Sequence, residues 1–261
     1  IMYSEEHSKY LKSIKKKKHI ITFFKIAIIT SFLLIWEITA RLGIINSFLT
    51  SYPTKVIKTT IDLYNSNNLL NHIWVTVHET IISFSLASII GLLTACLLWS
   101  SKTLSKILDP YLTVLNSLPK ISLGPLIIIW IGANTNSIIF MALLISIFTT
   151  IIGMYNAFIT TDKSKIILMK SFGANKLQIF MKLIIRGNTK SIVNTLKINI
   201  SLSLIGVIMG ELLVSKQGLG YLITYGSQIF NLNLVITSIF ILGIISYILY
   251  ILIDLLEKRI K

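Results

Sequence analysis

Apolar residues fall into long runs separated by short polar blocks, not into alternation with polar neighbours. Six runs reach the length, about 20 residues, that carries an α-helix across roughly 30 Å of hydrocarbon. They cover residues 20–40, 72–99, 111–131, 137–158, 191–214 and 234–255. The pattern predicts an all-α, polytopic membrane protein with about six transmembrane helices. The first run follows Lys15, Lys16, Lys17 and Lys18, a basic head of the kind that opens a signal peptide. It is too long for one and reads as an uncleaved first span.

Composition sharpens this picture. Hydrophobic residues make up 54% of the 261 positions and charged ones 13%, whereas soluble domains run near a quarter charged. A water-soluble enzyme is excluded. The net charge of +15 would suit a nucleic-acid binder, but the basic residues sit in blocks between apolar runs, so topology accounts for them and no nucleic-acid partner is expected. Residues 1–19, 100–109, 159–190 and those after 254 hold eighteen of the 25 Lys and Arg. The opposite face has Lys55, Lys58 and Lys216, with Arg41 at its border, while Lys25, Lys120 and Lys197 lie within or at the edge of spans. Positive loops stay cytoplasmic, so both termini are predicted there. The expected organisation is a basic cytoplasmic segment 1–19, a membrane domain 20–255 whose loop 159–190 is cytoplasmic, and a tail 256–261.

That loop carries helix signals. Asp162 can cap a helix starting at Lys163 and Gly173 can end it. Asn175 can cap a second helix, in which Leu177, Phe180, Met181 and Ile184 recur at helical spacing among Lys176 and Lys182. Two roles fit equally: a face for docking a protein, or a basic amphipathic pair resting on anionic lipid. Residues 52–71 form a polar segment on the other face, with a short helix expected after Pro53.

Catalytic motifs are absent. No phosphate-binding Gly-x-x-x-x-Gly-Lys-Ser/Thr loop or Gly-x-Ser-x-Gly elbow occurs, and His78-Glu79 lacks the second histidine of a zinc helix. His72 and His78 read as interfacial anchors at the outer end of the second span. Cys96, the single cysteine, has no partner for a disulfide or a metal.

Ionisable groups at membrane depth cost roughly 2.5–3.5 kcal/mol each at a span centre, so each calls for a partner or a function. Glu37 precedes Arg41 by four residues, a helical ion-pair spacing. Glu79 has no basic residue three or four positions on, and needs a partner on another helix, a wet cavity or a proton. Lys120 lies in Asn116-Ser117-Leu118-Pro119-Lys120-Ile121-Ser122-Leu123-Gly124-Pro125, where Pro119 and Pro125 each remove a backbone donor, so the third span is predicted to be broken. Broken backbone at this depth marks a pathway. The alternative is a proline kink with Lys120 reaching back to the surface. Glu211 lies near the end of the fifth run, and Gly218-Leu219-Gly220 leads into an apolar stretch, 222–230, too short to span. This is a candidate gate or an ordinary turn.

These segments together resemble the permease subunits of binding-protein-dependent ABC importers, in the branch handling nitrate, sulfonates, taurine and thiamine or riboflavin precursors. Trp36-Glu37 with Arg41-Leu42-Gly43 and Tyr52-Pro53 resembles the family's first span and the segment after it. Residues 118–132 resemble its third-span signature, and Gly210-Glu211-Leu212-Leu213 with Gly218-Leu219-Gly220-Tyr221 its fifth. Residues 167–174 align with the Glu-Ala-Ala-x-x-x-Gly coupling motif. Gly173 matches, but Ile167, Leu168 and Met169 replace the acidic residue and the alanines, and Arg186 stands for a downstream proline. Glu79 stands where relatives often have arginine.

The resemblance implies a type I importer (MetI-like) fold in a bacterial inner membrane. It implies a cytoplasmic ABC ATPase dimer that binds the ATP and Mg, leaving no cofactor in this chain. A second permease copy, an external solute-binding protein and surrounding lipid complete the expected partners. It assigns Asp162, Lys165, Ile167, Leu168, Met169, Lys170, Gly173 and Ala174 to ATPase coupling. It assigns Pro119, Lys120, Pro125, Glu211, Gly218 and Gly220 to the path or gate. No residue is expected to be catalytic or to bind metal. The competing reading is an ATP-independent scaffold or channel-like subunit; a membrane-embedded enzyme is a distant third.

Overall fold

In hydrocarbon every backbone N–H and C=O must pair within its own segment, so the apolar runs fold as helices. In the computed structural model the described residues, 5–66 and 68–260, contain helices and connections and no strand. Residues 1–4 of the basic segment, Asn67 and Lys261 of the tail lie outside them. In chain order the helices are α1 (Glu5–Arg41), α2 (Ser47–Thr50), α3 (Pro53–Asn65), α4 (Leu69–Ser100), α5 (Lys102–Ser117), α6 (Gly124–Ile131) and α7 (Thr135–Ile159). They continue as α8 (Lys163–Ser171), α9 (Lys176–Ile179), α10 (Thr189–Val214), α11 (Leu219–Gln228) and α12 (Leu232–Ile260). Five are long and apolar enough to cross a membrane, and α5 with the 120–131 segment makes a sixth, bent by 80°.

Helix α1 runs unbroken from Glu5, because no glycine or proline interrupts residues 5–41, so the basic segment and the first apolar run share one helix. Ser101 accepts a hydrogen bond from the Leu104 N–H and starts α5 directly after α4, so the basic stretch there is helical from Lys102. The third span does break, at Leu118-Pro119, and restarts as a single 3₁₀ turn over Lys120–Leu123.

Helices α4, α7 and α10 form the tightest packing in the molecule. Small residues allow it: a Cβ on Gly206 of α10 would lie 2.4 Å from Cα of Ala142 on α7. Polar side chains bridge the trio at its middle. The Asn199 amide donates to the Phe84 carbonyl at 3.2 Å and to the Ser88 hydroxyl at 2.8 Å. An apolar cluster from Leu69 through Leu204 and Leu222 to Ile253 fastens α11 and α12 to this trio. At the end of the bundle bearing the 159–190 loop, Lys197 of α10 bonds Asp254 at 2.5 Å and Glu257 at 3.1 Å on α12.

Helix α1 stands apart: of its residues from Lys16 to Arg41 only Ala40, near its end, is buried. Its contacts come at its far end, where Trp36 stacks on Phe240 at 5.4 Å. Glu37 and Arg41 pair at 2.5 Å as their spacing predicts. Glu37 also accepts the Thr54 N–H at 3.0 Å, so the same carboxylate caps α3, whose first residue, Pro53, has no N–H to satisfy.

Candidate functional sites

The 159–190 loop is built as its residues dictate. Asp162 accepts a hydrogen bond from the Ser164 N–H at 2.8 Å and caps α8. The helix ends where Gly173 takes φ +76°, a left-handed conformation that closes a helix C-terminus. Asn175 and Gln178 then form a reciprocal capping box, at 2.8 and 2.9 Å, that starts α9.

Sides separate along α8. Ile166 and Met169, three apart, pack with Ala174 onto a cluster of Ala95, Met154, Phe158, Phe180 and Ile184. Ile167, Leu168 and Phe172 face outward at 67%, 55% and 81% exposure. Of the residues expected to couple, Ile167 and Leu168 are therefore presented, Met169 and Ala174 face inward, and Asp162 and Gly173 set the helix ends. Lys165 and Lys170 are exposed. Phe172 carries no signal in the aligned motif, where its position is unspecified. The expected second amphipathic helix is only one turn long. A π-helical stretch over Phe180–Ile185 continues it and buries Phe180 and Ile184 while Leu177 and Met181 stay exposed. Phe180 packs against Trp99 at 4.9 Å and Phe158 at 5.2 Å. Lys176 bonds the Ser100 carbonyl. The base of the loop is thereby fixed to the ends of α4 and α7.

At the break between α5 and α6, Lys120 is half-buried, whereas Pro119 and Pro125 are exposed. Its ammonium turns back onto the preceding helix, donating to the Asn116 carbonyl at 3.1 Å and side-chain oxygen at 3.3 Å, 5.5 Å from the Phe148 ring. The Thr149 hydroxyl donates to the same Asn116 oxygen at 2.9 Å. No carboxylate among the described residues forms an ion pair with Lys120. Asn116 and Thr149 were not legible as partners, because Thr149 comes from a helix 33 positions along the chain.

At the end of the bundle opposite the loop, a polar knot closes around the start of α11. Three successive N–H groups of Gly218, Leu219 and Gly220 are satisfied by side chains from two other helices. The Gly218 N–H donates to His72 Nδ1 at 3.0 Å, the Leu219 N–H to the Thr76 hydroxyl at 2.9 Å, and the Gly220 N–H to Glu211 Oε2 at 2.6 Å. The Thr76 hydroxyl donates in turn to Glu211 Oε1 at 2.7 Å. His72 and Thr76 are one helical turn apart on α4 and reach the same site, so His72 is more than an interfacial anchor. The glycines are required sterically, since a Cβ on Gly218 would lie 2.3 Å from the Glu211 carboxyl carbon and one on Gly220 2.7 Å from its Cβ. Glu79 completes the knot, its carboxyl against that of Glu211 and near Thr135. Both glutamates are 1% exposed. The structure thus brings Glu211, Gly218 and Gly220 together and holds Lys120 on a different segment.

Among the described residues no group of three or more His, Cys, Asp or Glu is placed to hold a metal ion. The architecture can be compared with known proteins. Residues 87–261 match the family described as binding-protein-dependent transport system inner membrane component. The chain belongs to this family. A permease of Haemophilus influenzae, named as a probable ABC transporter permease protein, is 30% identical over 228 residues, 87% of this chain and 92% of that one. The formylaminopyrimidine transport permease protein ThiX of Halalkalibacterium halodurans is 28% identical, covering 82% of this chain and 85% of that one. A Bacillus subtilis permease, SsuC, named for aliphatic sulfonates transport, is 24% identical over 86% of this chain and 82% of its own. The fold is that of the chain solved in inward-facing conformations of the MetNI methionine ABC transporter. That match has a TM-score of 0.67 at 20% identity and covers 74% of this chain and 96% of that one. The protein is a multi-pass inner-membrane permease component of an ABC importer, a transport subunit and not an enzyme.

Proposed function

We propose that this permease takes its energy from a cytoplasmic ABC ATPase dimer docked on α8, and that with a second copy of itself it encloses the translocation path. The ATPase holds ATP and Mg, and the permease carries no cofactor. An external solute-binding protein delivers the solute to the face opposite the loop, membrane lipid covers the outer apolar faces, and both termini are cytoplasmic.

One observation carries the docking assignment. Helix α8 exposes Ile167, Leu168 and Phe172 on a loop whose base is pinned to α4, α7 and α10 through Lys176, Phe180 and Ile184. An apolar patch on a stiff support suits a lever: motion of a docked ATPase passes to the spans as a rigid-body tilt. Replacement of the motif's acidic residue by Ile167 makes the contact apolar instead of charged.

The solute is small and anionic or heterocyclic, of the sulfonate, taurine, nitrate or vitamin-precursor class. Support comes from the relatives named for sulfonates and formylaminopyrimidine and from Lys120, a cation at the break with no carboxylate ion-pair partner among the described residues. Pro119, Lys120 and Pro125 line the path, and Glu211, Gly218 and Gly220 close it.

Deleting residues 163–174 from a tagged chain co-expressed with its ATPase should abolish co-purification and uptake; retained co-purification would remove the docking assignment. Uptake that survives ATP depletion would favour the channel-like alternative. Lys120→Ala should lower uptake of the solute carried by the cognate binding protein at least tenfold, and unchanged uptake would remove Lys120 from the path.

A further inference from the structure

The pairing of Glu79 with Glu211 is unexplained by transport as described so far. The two side chains come from α4 and α10, 132 positions apart, and both are 1% exposed. No lysine or arginine among the described residues forms an ion pair with either. The other titratable groups around the knot offer no counter-charge. His72 uses Nδ1 as an acceptor for the Gly218 N–H, so that nitrogen carries no proton and the ring is neutral. Tyr221 of α11 stacks on His72 at 5.9 Å. His78 lies beside Trp74, and Lys216 is exposed on the connection between α10 and α11. Helix α7 contributes the Thr135 hydroxyl and, over residues 135–159, no ionisable group but Tyr155, and residues 198–210 of α10 hold none.

Hydrogen counting assigns the roles. Both Glu211 oxygens accept, one from Thr76 and one from the Gly220 N–H, so Glu211 acts as the carboxylate. Glu79 faces it, and Glu79 Oε2 is buried without any hydrogen-bond partner. Two bare carboxylates in contact, away from water, repel strongly, while one proton between them turns the repulsion into a charge-assisted hydrogen bond. We propose that Glu79 and Glu211 share a single proton, and that this proton fastens α4 to α10 and to the start of α11. The knot is then a proton-binding site. Losing the proton leaves adjacent like charges and frees α11 to part from α4. This inference depends on the helical fold alone and stands whether or not α8 docks an ATPase.

Infrared spectroscopy of the full chain in detergent tests it, read at the carbonyl stretch of a protonated carboxylic acid. The wild type should show a buried band at neutral pH that Glu79→Gln removes and that Glu211→Gln, which leaves Glu79 protonated against an amide, shifts in frequency. Stability bound to a proton is lost as pH rises, so wild-type Tm should fall with rising pH, by on the order of 5 °C. Glu79→Gln, whose amide donates without a proton to lose, should flatten that slope. Should Glu79→Gln not fold, Glu79→Arg substitutes for it, because a charge pair with Glu211 also abolishes the band and the slope. Absence of the band in the wild type, or an unchanged slope in the variant that folds, overturns the proposal. A wild-type Tm that rises with NaCl but not with choline chloride, without the band, would also overturn it and assign the pair to a bound metal cation.

Discussion

The two ends of the bundle invert each other. At the loop end, α8 turns apolar side chains outward beside its lysines, with Phe172 at 81% exposure, and Asp162 caps its start. At the opposite end the knot turns polar side chains inward, with Glu79, Thr76 and Glu211 almost wholly buried. Each arrangement is costly for an isolated chain, by exposing apolar surface in one case and burying charge in the other. The exposed patch makes sense for a surface completed by another protein. The buried knot makes sense for helices that must be held together, and released, from within.

Matched glycine substitutions should separate the two ends most sharply. Gly218→Ala places a Cβ 2.3 Å from the Glu211 carboxyl carbon at a residue with φ +102°. It should cost about 3–5 kcal/mol, enough to lower Tm steeply in a detergent melt or to prevent recovery of folded chain. Gly173→Ala meets open space and only the backbone strain of φ +76°, so its loss should be about 1–2 kcal/mol. If the two substitutions cost the same, the knot is not the tighter region.

A smaller effect is expected at the α8 cap. Asp162→Ala removes one hydrogen bond, from the Ser164 N–H, and should cost about 1 kcal/mol in the same melt while weakening ATPase co-purification. Phe172→Ser should change stability least, within about 0.5 kcal/mol, because the ring touches little of its own chain. It should nevertheless reduce ATPase association more than Asp162→Ala does. That reversal of order between stability and binding is what the comparison of the two ends requires.

The difference between the ends also explains what the sequence could reveal. Local signals were legible: the apolar runs, the Asp162 cap, the Gly173 stop and the Glu37–Arg41 spacing are all encoded within a few residues. The broken third span was readable from its prolines, but not the 80° bend. The knot was legible only in pieces. The chain shows Glu79 as a carboxyl without a basic residue one turn on, and Glu211 with the two glycines as a candidate gate. Their meeting depends on the packing of α4 against α10 across more than a hundred residues. His72 and Thr76 carry no signal beyond a one-turn spacing common to any helix. The π-helical stretch at Phe180–Ile185 was hidden because its apolar spacing also fits an ordinary surface helix.

The most direct test of the docking claim uses the single cysteine. In a Cys96→Ser background, a cysteine at Phe172 carries a thiol-linked photo-crosslinker, and the chain is irradiated in membranes with its ATPase co-expressed. A second sample carries the same label at Ile129, which is 79% exposed on α6. A crosslinked product containing the ATPase from Phe172 and none from Ile129 is the predicted result. No ATPase product from Phe172, with assembly shown by intact uptake, would contradict the account.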